Sequence, residues 1–326
     1  ARAGVAGMAE HPYLRDLSGT PFVVAAIPDL DPSVDGAERF AQIAIAPLLE
    51  AIAPFAALDV GEIPLFVGLP EPRPGVPHDL ESALVESLEE ATSGLVRRGR
   101  TRTVADGHSG GLIAMGEAVD TIRRGEAEIC IAGGVDSYLE ADTLEWLEDR
   151  GQLHSETTTW GFCPGEAAAF VVFCSESVDA AASPPISATV LAAASAVEEN
   201  RSGTETVCTG TGLTEAFRSA LRALDESEAH IDHIICDMNG EPYRANEFGF
   251  SLARTSHKFA ASADFQTPAD CWGDVGAASA PLYLLLSAAA ASRGYAAGEH
   301  TLIWTSSEGG SRAAAVIRTP ETGGEL

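Results

Sequence analysis

The chain has 326 residues, 45% of them hydrophobic, which is enough for one large or two ordinary domains around a substantial core. Its 48 acidic residues against 20 basic ones leave a formal charge of -28. That charge opposes the counterion release that drives binding to phosphate backbones, so nucleic acid and anionic membranes are poor partners.

No apolar run reaches the roughly 18 residues of a membrane span, and the N-terminus has no basic-plus-apolar signal pattern. The nearest approach, Ala277 to Ser292, is Ala-rich and too short. The six cysteines are far apart and form no C-x-x-C pair, so neither a zinc knuckle nor a redox motif is indicated, and a reducing cytoplasm is expected. Cys130, Cys174 and Cys236 sit in apolar runs, where a thiol is a small hydrophobe. The chain opens Ala1-Arg2-Ala3-Gly4 rather than on Met, as a processed, truncated or tagged start would, leaving room for an absent first strand.

Val- and Ile-rich runs alternate with amphipathic stretches, the pattern of a layered α/β protein. The first elements expected are a strand Pro21 to Pro28, a helix Gly36 to Pro54, a strand Ile63 to Leu69, a Pro-rich loop Glu71 to Pro77 and a helix Asp79 to Leu95. A strand Thr101 to Ala105 then enters the elbow Asp106-Gly107-His108-Ser109-Gly110-Gly111, and a helix Gly111 to Arg124 leaves it. Strand Ile129 to Gly134, helix Ala141 to Arg150 and strand Ala167 to Cys174 close this half. Asp179 to Pro185 is the candidate linker. The second half is read as strand Ile186 to Ala194, helix Leu213 to Leu224, strand His233 to Met238, helices Arg244 to Ala253 and Gly276 to Arg293, and strands Thr301 to Ser306 and Arg312 to Arg318. Both halves contain a helix opened by small residues and then a strand ending near a Gly pair, at offsets of about 166 and 176 residues. That spacing hints at internal duplication.

A helix start behind a strand and a sharp turn presents unpaired N–H groups and a positive partial charge, which stabilise an oxyanion or thiolate. Gly107-x-Ser109-x-Gly111 matches the G-x-S-x-G nucleophile elbow, with Ser109 as nucleophile. A serine hydrolase also needs an acid and then a histidine downstream. Of His154, His230, His233, His257 and His300, none follows a suitable strand with an acid upstream.

From the elbow to Phe173 the chain resembles the β-ketoacyl synthases of the thiolase superfamily. The features that carry the resemblance are the elbow strand Thr103 to Gly111, the small-residue helix Leu112 to Arg124, a strand ending Ala132-Gly133-Gly134, and Gly161-Phe162-Cys163-Pro164-Gly165-Glu166-Ala167-Ala168 before the next strand. Fainter matches follow at Cys236-Asp237-Met238-Asn239-Gly240, at Gly273-Asp274-Val275-Gly276-Ala277-Ala278 and at Glu308-Gly309-Gly310-Ser311, while the first hundred residues match poorly.

The resemblance implies a thiolase-like five-layer α-β-α-β-α fold of two related halves, 1–180 carrying the elbow and 181–326. It implies a dimer formed through strands beside the nucleophile, either a homodimer or a heterodimer with an active ketosynthase. An acyl carrier protein or acyl ligand is a further candidate partner, and no metal or organic cofactor is implied. It also exposes a departure. Where condensing ketosynthases carry a Cys nucleophile this chain has His108, and where they carry two histidines it has Asn239 and, nearby, Asp274. Asn cannot exchange protons near neutral pH, and His cannot hold a stable thioester. Three readings stay open: a non-condensing subunit comparable with chain-length factors; other acyl-transfer or hydrolytic chemistry using His108 as base, Ser109 as nucleophile, Asn239 as donor and Asp274 or Glu241 as orienting carboxylate; or a ligand-binding or purely structural protein. Cys163 and Cys271-Trp272 near these loops are read as packing residues. Glu166 is read as a buried structural carboxylate, and Arg123-Arg124 as the cationic end of a helix.

Overall fold

The computed structural model describes residues 4–55, 61–155, 158–178, 187–201, 204–260 and 264–320. Elements of the first half are β1 (Ala9–Arg15), β2 (Pro21–Val24), α1 (Gly36–Ile52), β3 (Leu65–Gly68), α2 (Leu80–Ala91), β4 (Thr101–Val104), α3 (His108–Arg123), β5 (Ile129–Ser137), α4 (Ala141–Asp149) and β6 (Glu166–Cys174). The second half adds β7 (Thr189–Val197), α5 (Thr211–Leu221), β8 (His233–Cys236), α6 (Pro242–Thr255), β9 (Phe265–Gln266), α7 (Ala269–Trp272), α8 (Ser279–Ser292), β10 (His300–Ser306) and β11 (Ser311–Arg318).

The strands form a β1–β2 hairpin, a four-stranded sheet ordered β4-β3-β5-β6 and a five-stranded sheet ordered β9-β8-β10-β11-β7. In both larger sheets the first three strands are parallel and the fourth is antiparallel. Four strands of the second sheet thus repeat the order and directions of the first, as the spaced small-residue motifs anticipate, and β7 is added at the outer edge of β11.

Neighbouring residues of the central strands feed different cores because successive side chains point to opposite faces. Ile131 packs with Phe40, Leu48 and Leu84 beneath α1 and α2, while Cys130 and Ala132 face Leu112 and Met115 of α3 and Tyr283 of α8. In the second sheet Ile303 joins that central cluster, whereas Leu302 and Trp304 turn to Phe217 of α5 and Phe248 of α6. The layers are α1/α2, sheet, α3/α8, sheet, α5/α6, the five-layer arrangement expected. Being covered on both faces is why β5, β10 and β11 read as almost continuous apolar runs.

Small residues set the spacing of the middle layer. A Cβ on Gly111 or Gly134 would run into the Ala277 carbonyl, so these glycines let the two central helices and β5 meet backbone to backbone. Several bounds differ from the sequence reading. Helix α3 starts at His108 rather than Gly111, β2 ends at Val24 rather than Pro28, and β7 lies about three residues later than expected. The expected helix from Gly276 is a 3-10 turn, Gly276–Ala278, leading into α8. The hairpin strand β1 and the short β9 and α7 carried no readable apolar period. The candidate linker 179–185 lies outside the described residues. Among the described residues no helix is long and apolar enough to cross a membrane.

Candidate functional site

The elbow is built by Gly107, whose φ of +56° is one that L side chains rarely adopt. It turns the chain from β4 into α3 within three residues, so His108 becomes the first residue of the helix and is 95% buried, its relative exposure being 5%. Its Nε2 donates to the Asp274 carboxylate, 2.7 Å from Oδ1 and 2.9 Å from Oδ2. Asp274 also accepts from the Gly276 N–H at 2.9 Å and from Asn239 Nδ2 at 2.6 Å. Three of the four site residues expected from the sequence, His108, Asn239 and Asp274, therefore meet although they come from both halves of the chain.

Asn239 is saturated. Its amide nitrogen also donates to Glu241 Oε2 at 3.1 Å, and its oxygen accepts from the Glu241 N–H at 3.1 Å. Glu241 in turn receives Gln152 Nε2 at 3.1 Å.

Ser109 is not part of this cluster. Its hydroxyl is fully buried and donates to the carbonyls of Ser311 (2.9 Å) and Thr305 (3.3 Å), while its N–H donates to Ser307 Oγ at 2.8 Å. Ser307 Oγ donates to the Asp106 carbonyl. Ser109 and Ser307 tie α3 to the β10–β11 turn, and no hydrogen bond joins Ser109 Oγ to the His108 imidazole among the described residues.

Arg244 and Asp237 complete the site and escaped the sequence reading. Arg244, 1% exposed, donates through Nη1 to Asp237 Oδ2 (2.8 Å) and the Ser306 carbonyl (2.6 Å), and through Nε to Glu241 Oε2 (3.2 Å). Its Nη2 lies 3.5 Å from His108 Nδ1 and 3.3 Å from Nε2. One signal was available: Pro242 at the start of α6 places Arg244 in a first helical turn, where the macrodipole disfavours a cation unless anions compensate.

The charges decide the protonation states. Burial alone would pull the His108 pKa down, but the adjacent Asp274 carboxylate outweighs it and holds the imidazole above its ordinary 6.5. Burial alone would raise Asp274, but His108 and Arg244 hold it well below its ordinary 3.8. Asp237 goes the other way, raised by burial despite Arg244. Cys163, beside these loops, is pushed up to about 12 by burial and by Asp274, so it stays a thiol.

Elsewhere Glu166 is buried as read. It accepts a bidentate pair from Arg39 (2.7 Å each) as well as the Ile27 N–H (3.0 Å) and Ser137 Oγ (3.0 Å). Among the described residues one trio, Glu198, Cys208 and Glu247, gathers donor atoms within 4.8 Å. Arg312 already engages Glu247 through Nε at 2.7 Å and through Nη2, and Glu198 receives the Gly212 N–H at 2.8 Å.

Residues 94–178 match the family described as Beta-ketoacyl synthase, N-terminal domain. No curated protein sequence matches the chain. Among solved structures, a type II polyketide synthase acyl-carrier protein in complex with its ketosynthase superposes with a TM-score of 0.77 at 14% identity, over 98% of this chain and 93% of that one. The ishigamide ketosynthase/chain length factor gives 0.74 at 18% identity, and a β-ketoacyl synthase from Burkholderia phymatum gives 0.75 at 14%, each with the same coverage. The chain thus shares the fold of these ketosynthase structures along almost its whole length, and its elbow segment is similar to the β-ketoacyl synthase N-terminal domain.

Proposed function

We propose that the protein is a ketosynthase-like subunit of acyl or polyketide assembly that does not itself condense acyl chains and acts by pairing with an active, Cys-bearing ketosynthase. The observation that carries this reading is the state of His108. Its Nε2–H is committed to Asp274, and Arg244 Nη2 lies across the ring at 3.3 Å from Nε2 and 3.5 Å from Nδ1, so no lone pair is presented to an acyl carbonyl. Asn239 has no amide hydrogen left to polarise a thioester, because both go to carboxylates. Attack and carbonyl activation, the two requirements of acyl transfer, are both blocked by bonds the chain makes with itself.

Pairing is supported by β4, the strand leading into the elbow, which has β3 on one side and no strand on its outer side among the described residues. Such an edge is a template for pairing with another chain. Homodimers and a docked acyl carrier protein or acyl ligand remain compatible with it.

Intact-mass measurement tests the reading. The purified protein is incubated with an octanoyl thioester, alone and with a Cys-bearing ketosynthase recovered with it from cell extract. No acyl adduct on this chain and a stoichiometric complex with that partner are expected. An adduct that disappears in His108→Ala would overturn it, as would a protein that is recovered only as a homodimer.

A further inference from the structure

The space between α8 and the second sheet is filled unevenly. Toward the start of the helix Tyr283 and Leu284 pack with Ile235 and Ile303. One turn further on, the same stripe carries Ser287 and Ala290, whose small side chains leave room in front of the sheet. The room is a pocket of about 170 Å³, walled by His233 of β8, Gln266 of β9, Thr301 of β10 and Leu286 and Ala290 of α8. It lies at the end of β8 opposite Asp237 and Asn239, away from the elbow.

The loop 295–297 closes one side of the pocket, and both of its ends are held. On one end the Tyr295 N–H donates to the Ala290 carbonyl at 2.9 Å around Gly294, whose φ is +68°, the turn that ends α8. On the other end Asp232 accepts the His300 N–H at 2.9 Å. The pocket is therefore preformed.

Its polar groups are few and have capacity to spare. His233 Nδ1 is buried and makes no hydrogen bond among the described residues, and the carboxylate facing it, Asp264 Oδ1, stands off at 3.9 Å, beyond hydrogen-bond reach. The backbone carbonyl of Gln266 accepts the Cys236 thiol at 3.6 Å, while its side-chain amide makes no hydrogen bond among the described residues. Thr301 Oγ1 accepts from Ser287 Oγ at 3.2 Å, which leaves its own hydrogen to donate. An imidazole, a carboxamide and a hydroxyl together suit a group that both donates and accepts, which a hydroxyl does and a carboxylate does not. The pocket wall has no Lys or Arg, and Asp264 repels an anion. Size sets the rest, because an apolar cavity of roughly 150 Å³ takes a molecule as large as benzene.

We propose that this pocket binds a small neutral alcohol built on one six-membered ring, a phenol-sized molecule, with its ring against Ile235, Leu286 and Ala290 and its hydroxyl at His233 and Thr301.

The test is titration of the 326-residue chain, isotope-labelled at its methyl groups, with phenol, benzene and benzoate, followed by NMR. Phenol is expected to give saturable shifts at Ile235, Leu286 and Ala290. His233→Phe, at a partly exposed position, keeps a ring and removes the nitrogens; it is expected to weaken phenol about fivefold or more and to leave benzene unchanged. Ala290→Leu puts a side chain into the space and is expected to abolish the Ile235 shifts with both ligands while the melting temperature holds. If Ala290→Leu does not fold, the comparison of phenol with benzene in His233→Phe decides alone. Absence of saturable shifts with phenol, equal phenol affinity in wild type and His233→Phe, phenol shifts at Ile235 that survive in folded Ala290→Leu, or tighter binding of benzoate than of phenol would overturn the proposal.

Discussion

Replacing Asp274 by Asn keeps the volume at the centre of the site and removes its charge. The carboxylate accepts four hydrogen-bond contacts, two from His108 and one each from Gly276 and Asn239. An amide oxygen can keep the His108 and Gly276 bonds on one side, but its NH2 then faces the Asn239 NH2, donor against donor. Asn239 cannot turn over without giving up the bond its oxygen receives from the Glu241 N–H. Removing one partner of a buried pair costs about 3–5 kcal/mol. With an unfolding entropy of about 2.1 cal/mol/K per residue, 326 residues give about 0.7 kcal/mol/K, so the melting temperature should fall by about 4–7 °C. The loss depends on pH. Because His108 is raised above 6.5 in the folded state, its contribution is complete below pH 6.5 and fades as pH rises through the folded value. Because Asp274 is depressed, its contribution is present above pH 3.8 and fades as pH falls. Calorimetry of wild type and Asp274→Asn at pH 6 and pH 9 should therefore show the larger difference at pH 6. A loss below about 1 °C, or one equal at both pH values, would refute the ion-pair account.

Three other perturbations separate the structural parts of the site from its charge. Glu166→Gln breaks the bidentate contact with Arg39 in a place remote from any reaction and should cost about 3–5 kcal/mol in denaturant unfolding, with no change in partner binding. Ser109→Ala should cost about 0.5–1.5 kcal/mol through the lost hydroxyl bonds, since the Ser311 carbonyl keeps the Ser307 N–H and Arg312 Nη1, and neither wild type nor variant should label with a fluorophosphonate; labelling of the wild type alone would restore Ser109 as a nucleophile. Placing a thiol at the elbow by His108→Cys should give a poorly reactive group beside the Asp274 carboxylate, and adding Asp274→Asn should speed its alkylation by iodoacetamide; unchanged rates would show that Asp274 does not set the charge at this position.

What the sequence made legible follows from how each feature is encoded. Strands β5 and β10 are buried on both faces, so their apolar runs stood out, and α1 and α2 carry a one-sided apolar period. Strand β1, Ala-Glu-His-Pro-Tyr-Leu-Arg, is mostly exposed and has a Pro, so nothing in its pattern announced a strand. The start of α3 was misplaced because Gly107, Gly110 and Gly111 all look like breakers, while only Gly107 needs its positive φ and the other two serve close approach. At the site, His108, Asn239 and Asp274 were found through resemblance of their flanking motifs rather than through their own chemistry. Arg244 was missed because its link to His108 spans 136 positions and no local motif encodes it.

The separation of His108 from Asp274 is 166 residues, the same offset that relates the small-residue helix starts Gly110 and Gly276. The two side chains therefore sit near corresponding helix starts in the two halves, His108 as the first residue of α3 and Asp274 two residues ahead of the 3-10 turn that leads into α8. The shared topology brings the positive ends of both helical segments to one spot, and a positive field of that kind is satisfied by an anion. Here the chain supplies the anion itself: Asp274 accepts the Gly276 N–H, and the imidazole at the other helix start answers its charge. A histidine at the elbow without Asp274 would face the helix end and Arg244 with no compensation, and Asp274 without His108 would lose its principal counter-charge. The replacements at the two positions make sense only together. They close two helix starts, each of which would favour an anion, into one internal pair, so the positive field of both ends is met within the chain itself.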